Sequence, residues 1–193
     1  MIWLLLGCSE YGVKPPDPVP VAQPPGSEDE GHGEAPDWGN CSAGMWGEYS
    51  NLGIEIEGLE APADPSELDW WEQPAFEAYD PVLEFGEGWW PVDEGFEDDP
   101  AFFAVRWRGW LRVWDRGEHE VVVGAADDLW VYVGDELVLS MPGPQGYAPE
   151  EITLSFEQAG QFPLTVLFAQ RNDAQSGLRF RPLGEGLSIC AGE

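Results

Sequence analysis

From residue 102 onward, apolar and polar positions alternate with a period of two. Phe103, Val105, Trp107, Leu111 and Val113 fall on one face of a single extended segment, and Arg106, Arg108, Trp110, Arg112 and Trp114 on the other. That is the signature of a strand with one buried side. Gly109, in its middle, marks an expected bend. Further strand-like runs follow at 118–124, 129–133, 137–139, 152–156, 162–168 and 178–182, with a closing strand that ends at Cys190. Gly134-Asp135 is a hairpin turn between two of them, and Gly160 opens another. No segment carries a convincing 3.6-residue period. Short strands at this spacing predict an all-β, antiparallel sandwich or barrel.

Upstream the pattern is weaker. Residues 41–52 read as a first strand anchored by Trp46 and Tyr49, and the alternation Ile54-Glu55-Ile56-Glu57 could extend it. Residues 58–100 are rich in Pro, Gly, Asp and Glu and hold the pairs Trp70-Trp71 and Trp89-Trp90. They predict long loops with short strands, packed by aromatic rings that belong to the core; a sugar-stacking platform is the alternative use of such flat amphipathic rings. Residues 9–37 are proline-rich and acidic, a composition that cannot bury apolar area, so a disordered, partly polyproline spacer is expected there. The folded domain is expected over 38–193.

Composition narrows the partners. Thirty-seven acids against 8 bases give a net charge of −29, a field that repels phosphate backbones and anionic headgroups. Nucleic acid is therefore not an expected partner. In so acidic a chain, Arg106, Arg108 and Arg112 are expected to neutralise neighbouring carboxylates. Carboxylates are too numerous for any pair to indicate catalysis, and the two histidines are His32, in the spacer, and His119, expected as an exposed strand-end residue. No zinc cluster, phosphate loop or nucleophile-base pattern of recognisable spacing occurs, so the chain is expected not to be an enzyme.

Residues 1–8 are too short an apolar run to span a bilayer. Leu5-Leu6-Gly7-Cys8 resembles the lipobox of bacterial lipoprotein signal peptides, which implies lipidation of Cys8 and export to the cell envelope. A basic leader is missing, so either the start codon lies upstream or the likeness is accidental. With Cys8 lipidated, the membrane would be touched only through that anchor. Cys41 and Cys190 would then pair, clipping the first strand to the last and stabilising by on the order of 4 kcal/mol. Two free thiols in a reducing compartment are the alternative.

The candidate chemistry lies at Asp127-Asp128, directly before the strand 129–133. Two adjacent carboxylates are costly unless a positive charge satisfies them, and hard oxygen ligands of this kind suit Ca²⁺. The order of a strand, Asp-Asp, an aromatic strand with a glycine hairpin, and a later strand ending in Phe168-Ala169-Gln170-Arg171-Asn172 resembles the protective-antigen-type β-sandwich. That domain occurs in anthrax-toxin protective antigen, in fungal flocculin and epithelial adhesins and in bacterial glycosidases; the likeness is closer to its fibro-slime relative. The resemblance implies a cis peptide between Asp127 and Asp128, a Ca²⁺ held by Asp127, Asp128 and Asn172, and sugar hydroxyls on the ion, with Trp130 and Tyr147 shaping the pocket. Arg171, beside Asn172, would compete with the ion or hydrogen-bond the acids in its place.

These readings converge on a cell-surface lipoprotein whose β-sandwich binds an extracellular glycan in a Ca²⁺-dependent way. The alternative is a non-catalytic structural or assembly module that contacts an envelope or matrix component and has no sugar ligand.

Overall fold

The computed structural model describes residues 38–89, 91, 101–171 and 175–192. The signal-like segment, the proline-rich spacer, Cys8, Trp90 and Asn172 lie outside the described residues. The elements in chain order are β1 (Met45–Asn51), a 3-10 turn (Ile54–Ile56), β2 (Phe76–Asp80), β3 (Glu84–Phe85), β4 (Phe102–Val113), β5 (Gly117–Ala125), β6 (Asp128–Val133), β7 (Glu136–Met141), β8 (Glu150–Phe156), β9 (Gly160–Arg171), β10 (Leu178–Pro182) and β11 (Leu187–Ala191). Every pairing among them is antiparallel.

Two sheets face one another. The larger runs β2-β1-β4-β9-β6-β7, with β11 also on β4; the smaller runs β3-β10-β5-β8. Between them lie the inward residues of the predicted alternation: Val105, Trp107, Leu111 and Val113 of β4 meet Val121 and Val123 of β5 and Phe180 of β10. This is the two-layer sandwich that one-sided strands require.

The long strand at the centre explains where the ends of the chain go. β1 pairs with β4 from Phe103 to Arg108, and β11 takes the same edge from Gly109 to Val113. The first and last strands therefore lie end to end beside β4. Cys41 and Cys190 are joined as a disulfide across that junction, the expected pairing of first strand to last. β4 runs through Gly109 with its register against β9 unbroken. A side chain there would stand 2.5 Å from the Cys190 carbonyl oxygen, so the glycine lets β11 approach.

A second apolar cluster sits on the outer face of the larger sheet. Ala104, Trp130, Leu167 and Ala169 are covered there by Leu52, Ile56, Trp70 and Trp71 from the irregular segment. The Trp71 indole N–H donates to the carbonyls of Val105 and Phe168, at 3.1 and 3.3 Å, which pins the cover to the sheet. Residues 54–57 do not extend β1: the Ile56 N–H bonds back to the Gly53 carbonyl in a 3-10 turn, which drops Ile56 into this cluster. Trp46 also departs from expectation. It opposes Arg108 across β1 and β4, so it points outward and is 50% exposed.

Candidate functional site

The acidic pair is fully buried. Asp127, Asp128 and Arg171 all have 0% exposure. β6 begins at Asp128, and its register against β9 sets Asp128 opposite Ala169, two residues from Arg171. Asp127 has φ 64°, in the left-handed region that an aspartate tolerates better than a branched residue. The described chain has no cis peptide, so the positive φ of Asp127, and not a cis bond, turns the chain between the acids.

Each carboxylate has specific donors. Asp127 Oδ2 accepts the backbone N–H of Arg171 at 2.6 Å and the Gln170 side-chain amide at 3.0 Å. The Gln145 backbone carbonyl and side-chain amide hold the Asp127 main chain, at 3.2 and 2.9 Å. Asp128 meets the Arg171 guanidinium edge-on, with Nε to Oδ2 at 2.5 Å and Nη2 to Oδ1 at 3.2 Å, and takes the Gly143 N–H at 2.5 Å. The other end of the guanidinium, Nη1, donates to the carbonyls of Ile56, at 3.3 Å, and Leu59. Its carbon lies 5.6 Å from the centre of the Trp70 ring. Arg171 thus joins the acid on β6 to the segment that roofs the outer face of the sheet.

A calcium ion and a guanidinium ask for different surroundings. Ca²⁺ needs six to eight oxygens around it. Here both Asp128 oxygens are engaged by a bidentate guanidinium and a backbone N–H, and Asp127 Oδ2 is engaged by two more N–H groups. Among the described residues, these donors converge on the pair. Among the described residues no group of three or more acidic, histidine or cysteine side chains is placed to hold a metal. The donors on the pair among the described residues fit a guanidinium; the amide of the third expected ligand, Asn172, belongs to the segment outside them.

Burial raises the pKa of both acids. It pushes Asp127 up to about 6, against the lowering effect of the Arg171 N–H, and the neighbouring Asp128 charge adds to the rise. Asp128 is raised by the same loss of solvent, with the Arg171 hydrogen bonds opposing it. A raised carboxyl pKa means that the folded state takes up a proton before the unfolded chain does. Stability should therefore increase as pH falls from 7 through 6 toward 4, on the order of 1–3 kcal/mol from Asp127. Denaturation midpoints of the wild type and Asp127→Asn across that range check this; parallel curves for the two proteins would contradict it.

The other expected site residues are separated. Trp130 is 0% exposed and packs edge-on to Trp71 at 5.9 Å in the outer cluster, so it presents no face to a ligand. Tyr147 is half-buried in the same loop as Gly143 and Gln145, where its N–H donates to the Gln175 side chain at 3.1 Å. His119 is not exposed: it packs on Phe156, and its Nε2 lies 2.9 Å from the Asp115 carbonyl oxygen. Arg106 and Arg108 both pair with Glu48, as expected, whereas Arg112 spends its guanidinium on Gln161 and the carbonyls of residues 38–40. Gly143, Gln145 and Gln170 complete the acid network without having stood out in the sequence.

Solved structures share this architecture at low sequence identity. The PA14 domain of the antifreeze protein MpAFP matches 86% of this chain and 98% of its own, with TM-score 0.56 and 14% identity. A PA14 sugar-binding domain from an RTX adhesin matches 76% and 94%, at 0.54 and 19%. The A domain of epithelial adhesin 6 from Candida glabrata, solved with Galb1-3GlcNAc, matches 81% and 87%, at 0.52 and 13%. A GH31 alpha-xylosidase from Xanthomonas citri matches 77% of this chain at TM-score 0.50 and 15% identity, but the match spans only 16% of that enzyme. No curated protein matches the chain. The PA14 domain family itself matches over residues 62–188, which takes in the acidic pair, Arg171 and strands β2 to β10. The chain belongs to the PA14 domain family.

Proposed function

We propose that this chain is a non-catalytic, carbohydrate-binding module of an exported surface protein, and that it binds its ligand without Ca²⁺. The observation that carries the second half is the buried Asp128–Arg171 pair, with the guanidinium bonded through two nitrogens to the carboxylate that a lectin-type site would offer to the ion. The carbohydrate class is supported by the shared fold with a sugar-binding PA14 domain and with an adhesin solved with a disaccharide. A non-catalytic role is in keeping with the described histidine, His119, being packed against Phe156. An oxidising destination is in keeping with the Cys41–Cys190 disulfide. Attachment through a lipid on Cys8 belongs to the same proposal, and intact-mass analysis of the mature protein reads it.

A glycan array probed with and without chelator tests the proposal. The expected result is binding with the same profile in both. Binding abolished by chelator would return the acids to Ca²⁺ and require Arg171 to leave Asp128. Absence of any glycan binding would favour the second reading, a structural or assembly module. What favours that reading is Arg171 itself, since the same guanidinium fastens the roofing segment through the Ile56 and Leu59 carbonyls.

A further inference from the structure

The outer face of the larger sheet is divided. Toward the acidic pair it is roofed by Trp70 and Trp71, but toward the disulfide it lies open as a cleft of about 710 Å³. Trp38, Trp46 and Trp110 line this cleft together with Arg108, Pro163 and Thr165. Strand register puts them side by side: Trp46 opposes Arg108, Arg108 opposes Thr165, and Trp110 opposes Pro163. With strands about 4.8 Å apart, these rings and polar groups form a continuous floor three strands wide. We infer that this cleft, remote from the Asp127–Asp128 end of the sheet, is where a neutral polysaccharide docks; the inference rests on the carbohydrate-binding reading above.

Three observations fit that occupant. The first is the lining: indole faces with a hydroxyl and a guanidinium between them match the apolar faces and hydroxyl edges of a pyranose chain. Trp46, half exposed and propped edge-on by Tyr79 at 5.5 Å, is held ready at one end of the cleft.

The second is rigidity. Arg112, itself buried, bonds the carbonyls of residues 38–40 and so fixes Trp38 as a wall. The Trp38 ring rests 5.2 Å from that of Trp114, and the Cys41–Cys190 disulfide fastens the strand ends alongside. Walls built in this way lose little freedom on binding.

The third is charge. Arg108 is already paired with Glu48 at 2.9 and 3.1 Å, and Arg112 is spent on carbonyls and Gln161. In a chain of net charge −29, an anionic saccharide would be repelled and a neutral one would not.

The test is affinity electrophoresis of the full chain through gels carrying soluble neutral polysaccharides, namely a mannan, a β-glucan, a xylan and a galactomannan. Trp46→Ala, Trp110→Ala and, as a control at an exposed apolar residue outside the cleft, Val82→Ala are run beside the wild type, with near-UV circular dichroism to confirm folding. The inference expects retardation by at least one polysaccharide. Either Trp variant should lose affinity by about tenfold or more, and the control should not change. Retardation equal in all four proteins would overturn the cleft and leave the carbohydrate reading standing. No retardation of the wild type by any of the gels, together with no binding on the glycan array, would overturn both. Self-association that disappears in Trp46→Ala, without retardation, would instead assign the cleft to a second copy of the chain.

Discussion

Arg171→Met is expected to destabilise the domain by about 3–5 kcal/mol, the largest effect of any single substitution proposed for it. The cost comes from what the change leaves behind. Asp128 is fully buried, and without the guanidinium it is an unpaired charge in a low-dielectric interior. The carbonyls of Ile56 and Leu59 lose their donor at the same time, and Trp70 loses its cation. Arg171→Lys should recover little, because a single ammonium cannot span Asp128 edge-on and reach the roof as well. Asp128→Leu combined with Arg171→Met should recover much of the loss, since an apolar pair has no charge to desolvate. Urea unfolding of the four proteins checks the series. A cost below about 1 kcal/mol for Arg171→Met would show that the pair is not the internal clamp described here.

Reduction of the Cys41–Cys190 disulfide should have an effect of similar size for a different reason. The bridge closes a loop with a sequence separation of 149 residues, and in the chain-entropy view opening it costs about 4–5 kcal/mol. β11 is a short strand paired with β4 alone among the named strands, and its junction with β1 is bonded through Ser42 and Gly44 next to the bridge. A drop in Tm of roughly 10–15 °C on reduction is expected for a domain of this size. Cys41→Ala with Cys190→Ala should match the reduced wild type, and a Cys8 variant should melt with the oxidised protein. An unchanged Tm in the double variant would mean that the β1–β11 junction stands without its clip.

The strands after residue 102 were legible because one face of each is buried between sheets, so period-two alternation survives in the residues themselves. β4 shows this best: its inward Val105, Trp107 and Leu111 are fully buried, as the alternation required. The same signal misled at 54–57, where four alternating residues are too few to tell a strand from a turn. It misled again at Trp46, whose outward direction is set by pairing with Arg108, a partner far away in sequence. The acids Asp127 and Asp128 stood out because they are adjacent. Their counter-charge did not, because it depends on how β9 slides against β6. A shift of one residue in that register would turn Arg171 away from the acids. Adjacent Arg171 and Asn172 therefore offered two readings of one motif; the structure sets Arg171 on Asp128, and Asn172 lies outside the described residues. The open cleft was equally hidden, since Trp38, Trp46 and Trp110 come from three separated segments that meet only across β1 and β4.

Ca²⁺ calorimetry tests most directly whether the acidic pair is already satisfied from within the protein. After exhaustive chelation, the wild type and Asp128→Asn are titrated with Ca²⁺ at moderate ionic strength, which suppresses diffuse attraction to the acidic surface. The same weak, non-stoichiometric heats are expected for both proteins. A single-site isotherm in the wild type that vanishes in Asp128→Asn would contradict it and would place Ca²⁺, not Arg171, at the centre of the site.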